Sequence, residues 1–401
     1  MIVENELFIA KFATMKDKAF ITPELITWAR KTSKLSIEEV ASKLKISAIQ
    51  LSNWENGADQ PTIRQAENLS KIYKRPLAVF YLPEPPEDFN TLRDFRKSDA
   101  KRDYSTALTF TIRDIQNKQN WISDFLRFEG EEELSFIGKF NENSNPKFIA
   151  QDIIKTLDVS TGVLLENPLK YWIGKIESQR IYVSQTSNVN SHLKIDPYEV
   201  KGFVISDKFA PFIFVNSADS KKVQLFTLIH ELAHLWFDAS GLSSFDFIDF
   251  RQNKNKFDDI ELLCNEVAAE ILMPEKVVSM LFHGKVHDSL AIEKIAKQFN
   301  VSSYALAVRL LNLNIISLTK FMEVKKIFSD KYDAFLESEK NKPKPTGGPN
   351  YYTLQIRRNS KSFTEHVYSI YKNGRLSGYE ASSLLNIKIS GFNKLEKFLF
   401  I

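Results

Sequence analysis

The feature that most constrains this chain is His230-Glu231-Leu232-Ala233-His234, set inside an apolar run. Leu228, Ile229, Leu232, Ala233, Leu235, Trp236 and Phe237 surround the polar residues. On a helix, positions i and i+4 lie on one face, one turn apart. A helix this apolar is largely buried, and its two imidazoles and its carboxylate are buried with it. Burying those groups without partners costs several kcal/mol. A metal ion removes that cost for the histidines. The Glu between them then stands beside the ion, where it can hold and deprotonate a bound water.

A catalytic zinc takes a third protein ligand and keeps a fourth position open. The extended pattern, with a Gly and a third His after the second His, is not met, because Phe237 and Ser240 occupy those places. A helix predicted over Asp258–Met273 offers Asp258, Asp259, Glu261, Glu266 and Glu270 instead. Glu261 and Asn265 are i,i+4 neighbours, and Ala268 and Leu272 continue their stripe. That stripe favours Glu261. The competing reading is a solvated first-turn Glu favoured by the helix dipole. Cys264 lies mid-helix among apolar residues, where a thiol is inert. It is the one cysteine, which excludes an intramolecular disulfide and a Cys-rich zinc knuckle. His192, His283, His287 and His366 have no ligand-like spacing, and only the fold could bring His283 or His287 to the metal.

At roughly 150 residues per domain, 401 residues make two or three. Two Pro-rich breaks, Leu82–Pro86 and Lys342–Pro349, read as linkers. Before the first break the periodicity predicts helices at Pro23–Lys31, Ser36–Leu44, Ser47–Asn56, Thr62–Tyr73 and Arg75–Leu82. Ser36 with Glu39 has capping-box spacing. A helical connector follows, and a helix at Pro146–Leu157. Short runs rich in β-branched and aromatic residues at Arg180–Val183, Gly202–Ser206 and Pro211–Asn216 predict strands. Helices resume at Lys222–Phe237, Asp258–Met273 and Ile292–Leu311. The chain therefore reads as mainly α and multidomain. An all-α module spans 1–85, a helical connector 86–160, an α+β unit 161–320, and a basic, mainly helical region 321–401. No internal repeat is visible in the sequence.

Residues 222–274 resemble the ImmA/IrrE family of metallopeptidases. Phe226-Thr-Leu-Ile-His230-Glu231-Leu-Ala-His234 is similar to its FTLAHELGH segment, and Glu261-Leu-Leu-Cys-Asn265-Glu-Val-Ala-Ala-Glu-Ile-Leu-Met-Pro274 to its ExxANxFAAELLMP segment. The departures are Ala233 for Gly, Cys264 for Ala and Val267 for Phe. The resemblance implies a zincin-like fold. It also implies zinc ligands His230, His234 and Glu261, a gluzincin-like set, and Glu231 as the general base. Gly348-Pro349-Asn350-Tyr351-Tyr352 and Gly374-Arg375-Leu376-Ser377 resemble the tail of the longer family members.

Residues 20–82 resemble an XRE (Cro/C1-type) helix-turn-helix, through Ser36-Ile-Glu-Glu-Val40-Ala41-Ser-Lys-Leu44-Lys-Ile46-Ser47 and Ala48-Ile-Gln-Leu-Ser52-Asn53-Trp54-Glu-Asn-Gly57. Ser47, Ala48, Gln50, Ser52 and Asn53 fall near the exposed start of the second helix of the pair, where Gln and Asn can meet adenine edges. Lys43 and Lys45 are the cations nearest to hand. Residues 1–90 hold twelve Lys/Arg and twelve Asp/Glu, so this module is neutral. Phosphate neutralisation drives duplex affinity, so a dimer on a pseudo-palindrome is expected rather than a tight monomer.

The whole chain carries only +4, too little by itself to assign a polyanionic partner. Asn341–Ile401 holds ten Lys/Arg against three Asp/Glu. No stretch has the length of a membrane span and the start has no secretory pattern, so a cytoplasmic protein is expected. Two functions follow. One is a zinc endopeptidase joined to an operator-binding regulator, cutting a repressor or similar regulatory protein in a phage, stress or toxin–antitoxin setting. The other is a non-proteolytic repressor or antitoxin whose zinc domain is structural or binds a partner such as a toxin.

Overall fold

A computed structural model describes residues 18–86, 93–94, 104–160, 166–190, 192–243, 256–283, 288–341 and 350–400. The chain forms two compact units. The first holds the amino-terminal helices and the start of a long helix, through Asp114. The second holds Ile115 onward, apart from 189–193.

In the first unit, α1 is Pro23–Thr32, α2 Ile37–Leu44, α3 Ala48–Glu55 and α4 Ile63–Tyr73. The predicted capping box forms: Glu39 N donates to Ser36 Oγ (3.1 Å) and Ser36 N to the Glu39 carboxylate (2.7 Å). Lys45 takes a left-handed conformation (φ 57°) and ends α2. Leu25, Ile26, Ala29, Val40, Leu51, Trp54, Leu69 and Phe80 close the core. Arg30 lies across it, forked onto Glu55 at 2.7 and 2.8 Å. The helix expected at Arg75–Leu82 is only a 3-10 turn, Leu77–Tyr81. Pro76 is extended (ψ 141°), so it precedes the turn instead of starting a helix.

The second unit is built on a five-stranded sheet. Its strands are β1 Arg93–Asp94, β2 Tyr182–Thr186, β3 Gly202–Ile205, β4 Phe212–Asn216 and β5 Gly241–Ser243. Their order is β1-β5-β3-β4-β2. β3 runs antiparallel to β4 and β5, while β2–β4 and β1–β5 are parallel. The three strands predicted from β-branched and aromatic runs are present. β1 and β5 carry no such run, being Arg-Asp and Gly-Leu-Ser, and only pairing makes them strands.

Every residue of β3 and β4 is buried, so this sheet is covered on both faces. Alternation sorts the side chains. Val183, Val204, Ile213 and Val215 join the main core, with α8, Lys221–Leu235. Tyr182, Phe203, Phe212 and Phe214 form aromatic pairs instead, Tyr182–Phe212 at 4.9 Å and Phe203–Phe214 at 4.8 Å. Phe363 sets its ring edge-on against Tyr182, Phe212 and Trp121.

Helices complete the unit: the later part of α5 (Thr106–Phe128), α6 Pro146–Thr156, α7 Pro168–Glu177, α9 Lys256–Leu272, α10 Glu275–Phe282, α11 Ser289–Gln298, α12 Ser303–Asn312 and α13 Leu318–Asn341. The single helix expected over Ile292–Leu311 is two. Asn300 turns left-handed (φ 55°) and Ser302 caps the next helix through Ala305 N (3.0 Å). The buried core runs from Leu134 to Phe328. The second Pro-rich break lies outside the described residues.

The tail comprises α14 Tyr351–Asn359, α15 Lys361–Lys372, α16 Gly378–Leu385 and α17 Phe392–Leu399. Buried polar contacts tie it down. Lys118 Nζ donates to Asn359 Oδ1 (2.8 Å), and Ser184 Oγ to Arg358 O (2.7 Å). Glu177 accepts from Ser360 Oγ (2.6 Å) and Lys361 N (3.1 Å) and so caps α15. Burial pushes the Glu177 carboxyl up to about 7, against those hydrogen bonds. A carboxyl titrating higher when folded gives stability that is present at low pH and lost as pH rises toward 7. Between pH 5 and 8 the urea midpoint of the full chain is expected to fall with pH, and Glu177→Gln to flatten that slope. An unchanged slope in the variant would assign the pH dependence elsewhere.

Candidate metal centre

Ser220 caps α8, and from Gln224 to Leu235 every residue of the helix is buried. One side meets β3 and β4, another meets α9, and α9 is backed in turn by α6. His230, Glu231 and His234 are each 0 % exposed and Glu261 is 8 % exposed.

The four predicted residues thus lie on two packed helices. His230 Nε2 and His234 Nε2 are 3.0 Å apart. Glu261 reaches His230 Nε2 at 3.2 Å and His234 Nε2 at 3.0 Å. Among the described residues, these three make the one cluster of His, Cys, Asp or Glu with metal-ligand proximity. Burial pulls His230 down to about 4, against the raising pull of Glu261, so its ring is neutral at pH 7 and has a lone pair to offer. Burial would raise Glu261, but the two imidazoles outweigh it and hold the carboxyl well below its usual range. Converging lone pairs at this spacing repel unless a cation or proton stands between them. Tetrahedral ligand atoms at zinc–nitrogen distance stand about 3.3 Å apart. The donor set and its spacing therefore fit a zinc ion.

The other candidate carboxylates go elsewhere. Asp259 is exposed. Glu266 is exposed, and partial desolvation raises its carboxyl. Glu270 pairs with Arg309, whose Nε also donates to Met273 O (3.2 Å) and so fixes the end of α9. Asp258's side chain lies outside the described residues. Cys264 is buried, and burial with Glu261 and Glu231 nearby raises its thiol far above the usual range, as expected of an inert cysteine. His366 Nδ1 contacts Ser362 O (2.9 Å), His283 and His192 are exposed, and His287 lies outside the described residues.

Sequence reasoning missed Gly202 on β3. A Cβ there would stand 2.6 Å from Thr227 Cγ2, 2.9 Å from Glu231 Oε1 and 2.9 Å from Phe214 O. Only glycine lets α8 lie this close to the sheet with Glu231 in its place. Its one sequence signal is a Gly opening an otherwise apolar, β-branched strand.

In the first unit Lys43, Lys45, Ser47 and Asn53 are exposed, while Ala48, Gln50 and Ser52 are half-buried. Ser47 Oγ accepts from Gln50 N (3.1 Å), so this hydroxyl caps α3. Asn56 Nδ2 contacts Ser52 Oγ (3.4 Å). The Arg30–Glu55 fork, which pins α1 to α3, was not legible in the sequence.

Gly202→Ala is expected to destabilise the chain by about 1–3 kcal/mol, the usual cost of overpacking. Thr227→Ser removes one of the three clashing atoms and should return part of the loss. Thermal unfolding of the single and double variants checks both, and an unperturbed Gly202→Ala would refute the close approach.

Residues 180–311 match the family model described as IrrE N-terminal-like domain. Residues 26–80 match the model described as helix-turn-helix. The radiation response metalloprotease IrrE of Deinococcus radiodurans is 38% identical over 93 residues. That alignment covers 23% of this chain and 28% of the relative. Both resemblances read from the sequence therefore hold, the metallopeptidase family implies a metal, and no described helix is long and apolar enough to cross a membrane. The chain joins an XRE-type helix-turn-helix domain at residues 26–80 to an ImmA/IrrE-type metallopeptidase domain at residues 180–311.

Proposed function

We propose that this protein is a zinc-dependent, site-specific endopeptidase and a DNA-binding regulator, acting on a repressor or another regulatory protein. The observation that carries the reading is the convergence of His230, His234 and Glu261, with Glu231 on the same helix as both imidazoles. His230 and His234 would hold the ion through Nε2, and Glu261 through its carboxylate. Bound zinc supplies a Lewis acid that lowers the pKa of water and polarises a scissile carbonyl. Glu231 takes the proton of the attacking water and passes it to the leaving amine. Gly202 keeps the Glu231 carboxylate in reach by leaving space at the sheet. The name of the Deinococcus relative suggests a stress response as the setting. A phage or toxin–antitoxin module is equally consistent with the two domains.

The helix-turn-helix would place the enzyme on operator DNA, as a homodimer on a pseudo-palindrome. Gln50 and Asn53 are the base-reading residues, Ser47, Ala48 and Ser52 line the same face, and Lys43 and Lys45 meet phosphates. A second reading, a repressor or antitoxin without proteolysis, is favoured by one observation: His230, Glu231 and His234 are wholly buried. Structural zinc sites are closed in this way, whereas catalytic ones keep a position open.

Metal analysis and the mapping of new protein amino termini in expressing cells decide between the readings. Wild type is expected to hold one zinc per chain, and His230→Ala to lose it. Glu231→Gln should keep the metal and lose at least about 100-fold in cleavage. Cleavage that survives Glu231→Gln would remove Glu231 as the base. No new termini with wild type, alongside intact repression, would establish the second reading. On DNA, Gln50→Ala with Asn53→Ala should cost about 1–3 kcal/mol of sequence discrimination per lost base contact. Lys43→Ala with Lys45→Ala should weaken all sequences alike. Binding assays against operator and scrambled duplex separate the two effects.

A further inference from the structure

The tail repeats the architecture of the amino-terminal module. In the first module Ser36 caps α2 with Glu39 as the reciprocal partner, and in the tail Ser377 caps α16 with Glu380 in that role (3.1 and 3.2 Å). Both helices are eight residues long. Both end at a left-handed residue, Lys45 (φ 57°) and Asn386 (φ 52°). The correspondence holds at a fixed spacing of 341 positions, from 36 and 377 to 54 and 395.

Burial follows the same register. Leu35 and Leu376, Val40 and Ala381, Leu51 and Phe392, and Trp54 and Leu395 are all buried. Ile46 and Ile387 each follow the left-handed residue. A preceding helix packs on the last helix in both cases, α1 on α3 and α15 on α17. Before the capped helix, each module turns at a positive-φ residue, Lys34 and Gly374. The modules differ at the second helix of the pair: Ser47 caps α3, which packs directly on α2, whereas the tail enters α17 without a side-chain cap, through a 3-10 turn (Ile389–Gly391) that stands between α16 and α17. The likeness is one of local backbone and burial. Most matched pairs differ in side chain and share only capping, handedness and burial.

The two modules differ in charge. Positions equivalent to Ser47, Asn53 and Asn56 are Lys388, Lys394 and Lys397. All three lysines are exposed. Asn393, Lys394 and Lys397 share one face of α17, opposite buried Phe392, Leu395 and Leu399. The acidic residues of 350–400 are Glu365, Glu380 and Glu396. Glu365 pairs with Lys361, Glu380 closes the capping box, and Glu396 pairs with Lys372. Lys388, Lys394 and Lys397 enter no ion pair among the described residues, so their charge faces solvent undiluted.

We infer that residues 376–399 form a second helix-turn-helix, which binds the phosphate backbone of double-stranded DNA through the Asn393–Lys394–Lys397 face of its last helix and through Lys388 at the turn before it. A helix-turn-helix presents such a face to a duplex groove, and lysines on it gain affinity by releasing counterions. The inference does not rest on DNA binding by residues 26–80.

The test uses the full chain and a short fluorescent duplex of random sequence, titrated over a range of salt. Each phosphate contact contributes about 0.9 to the slope of log affinity against log salt. The variant Lys388→Gln/Lys394→Gln/Lys397→Gln should bind more weakly, with a slope shallower by about 2 to 3. Lys43→Gln/Lys45→Gln in a separate chain should leave that component in place. Thermal unfolding checks that both variants fold, and a photo-crosslinker at Asn393 gives a second readout. An adduct between position 393 and the duplex supports the site. An unchanged slope in the triple variant overturns it, as does an adduct only with another copy of the chain, which would make the face a protein interface.

Discussion

The structure depends on a cluster of ionisable groups held where water is excluded. His230, His234 and Glu261 face one another on α8 and α9, with Glu231 between the histidines in sequence and wholly buried. Such groups are tolerable inside a protein only if each has a partner of matching charge. That requirement fixes much of the unit. α8 must be covered on several sides, by β3 and β4 and by α9. α9 must present Glu261 inward, which the Glu270–Arg309 pair at its far end helps to fix. The sheet must approach α8 closely at one strand, and Gly202 allows it.

Much of this was legible beforehand because the signals were local. His230 and His234 at i and i+4, the capping box at Ser36, and the β-branched runs of β2 to β4 each state a geometry within a few residues. The choice of Glu261 over its neighbours needed the stripe through Asn265 and the family resemblance together, since several carboxylates lie on the same helix. What stayed illegible was set by contacts distant in sequence. Arg93-Asp94 is a strand only because Gly241-Leu242 pairs with it. The break between α11 and α12 turns on a left-handed Asn300, a conformation the apolar period does not encode. Gly202 is singled out only by Thr227 and Glu231, which are distant in sequence and stand beside it.

Charge is arranged unevenly between the two three-helix modules. The first spends its charged residues on internal order, with Arg30 forked onto Glu55 and Lys18 on Asp59. The second engages its acids and leaves three lysines exposed, two of them on one face of α17. The same backbone plan thus carries two electrostatic surfaces, one polar and near neutral, the other cationic. Formal net charge over the chain conceals this, because residues 91–340 hold three more acids than bases and bring the total down to +4.

The tail also acts as the second layer of the sheet. Tyr182 and Phe212 are covered by Phe363, Ser184 donates to Arg358 O, and Lys118 and Glu177 find their partners at Asn359, Ser360 and Lys361. A chain shortened before α14 would open an aromatic sheet face to water and take from Lys118 and Glu177 the hydrogen bonds they make to Asn359, Ser360 and Lys361. The metallopeptidase fold is therefore not separable from the segment that follows it. Any protease that trims this protein at its carboxyl end acts on its solubility as well as its length, and a stop codon there is a folding lesion.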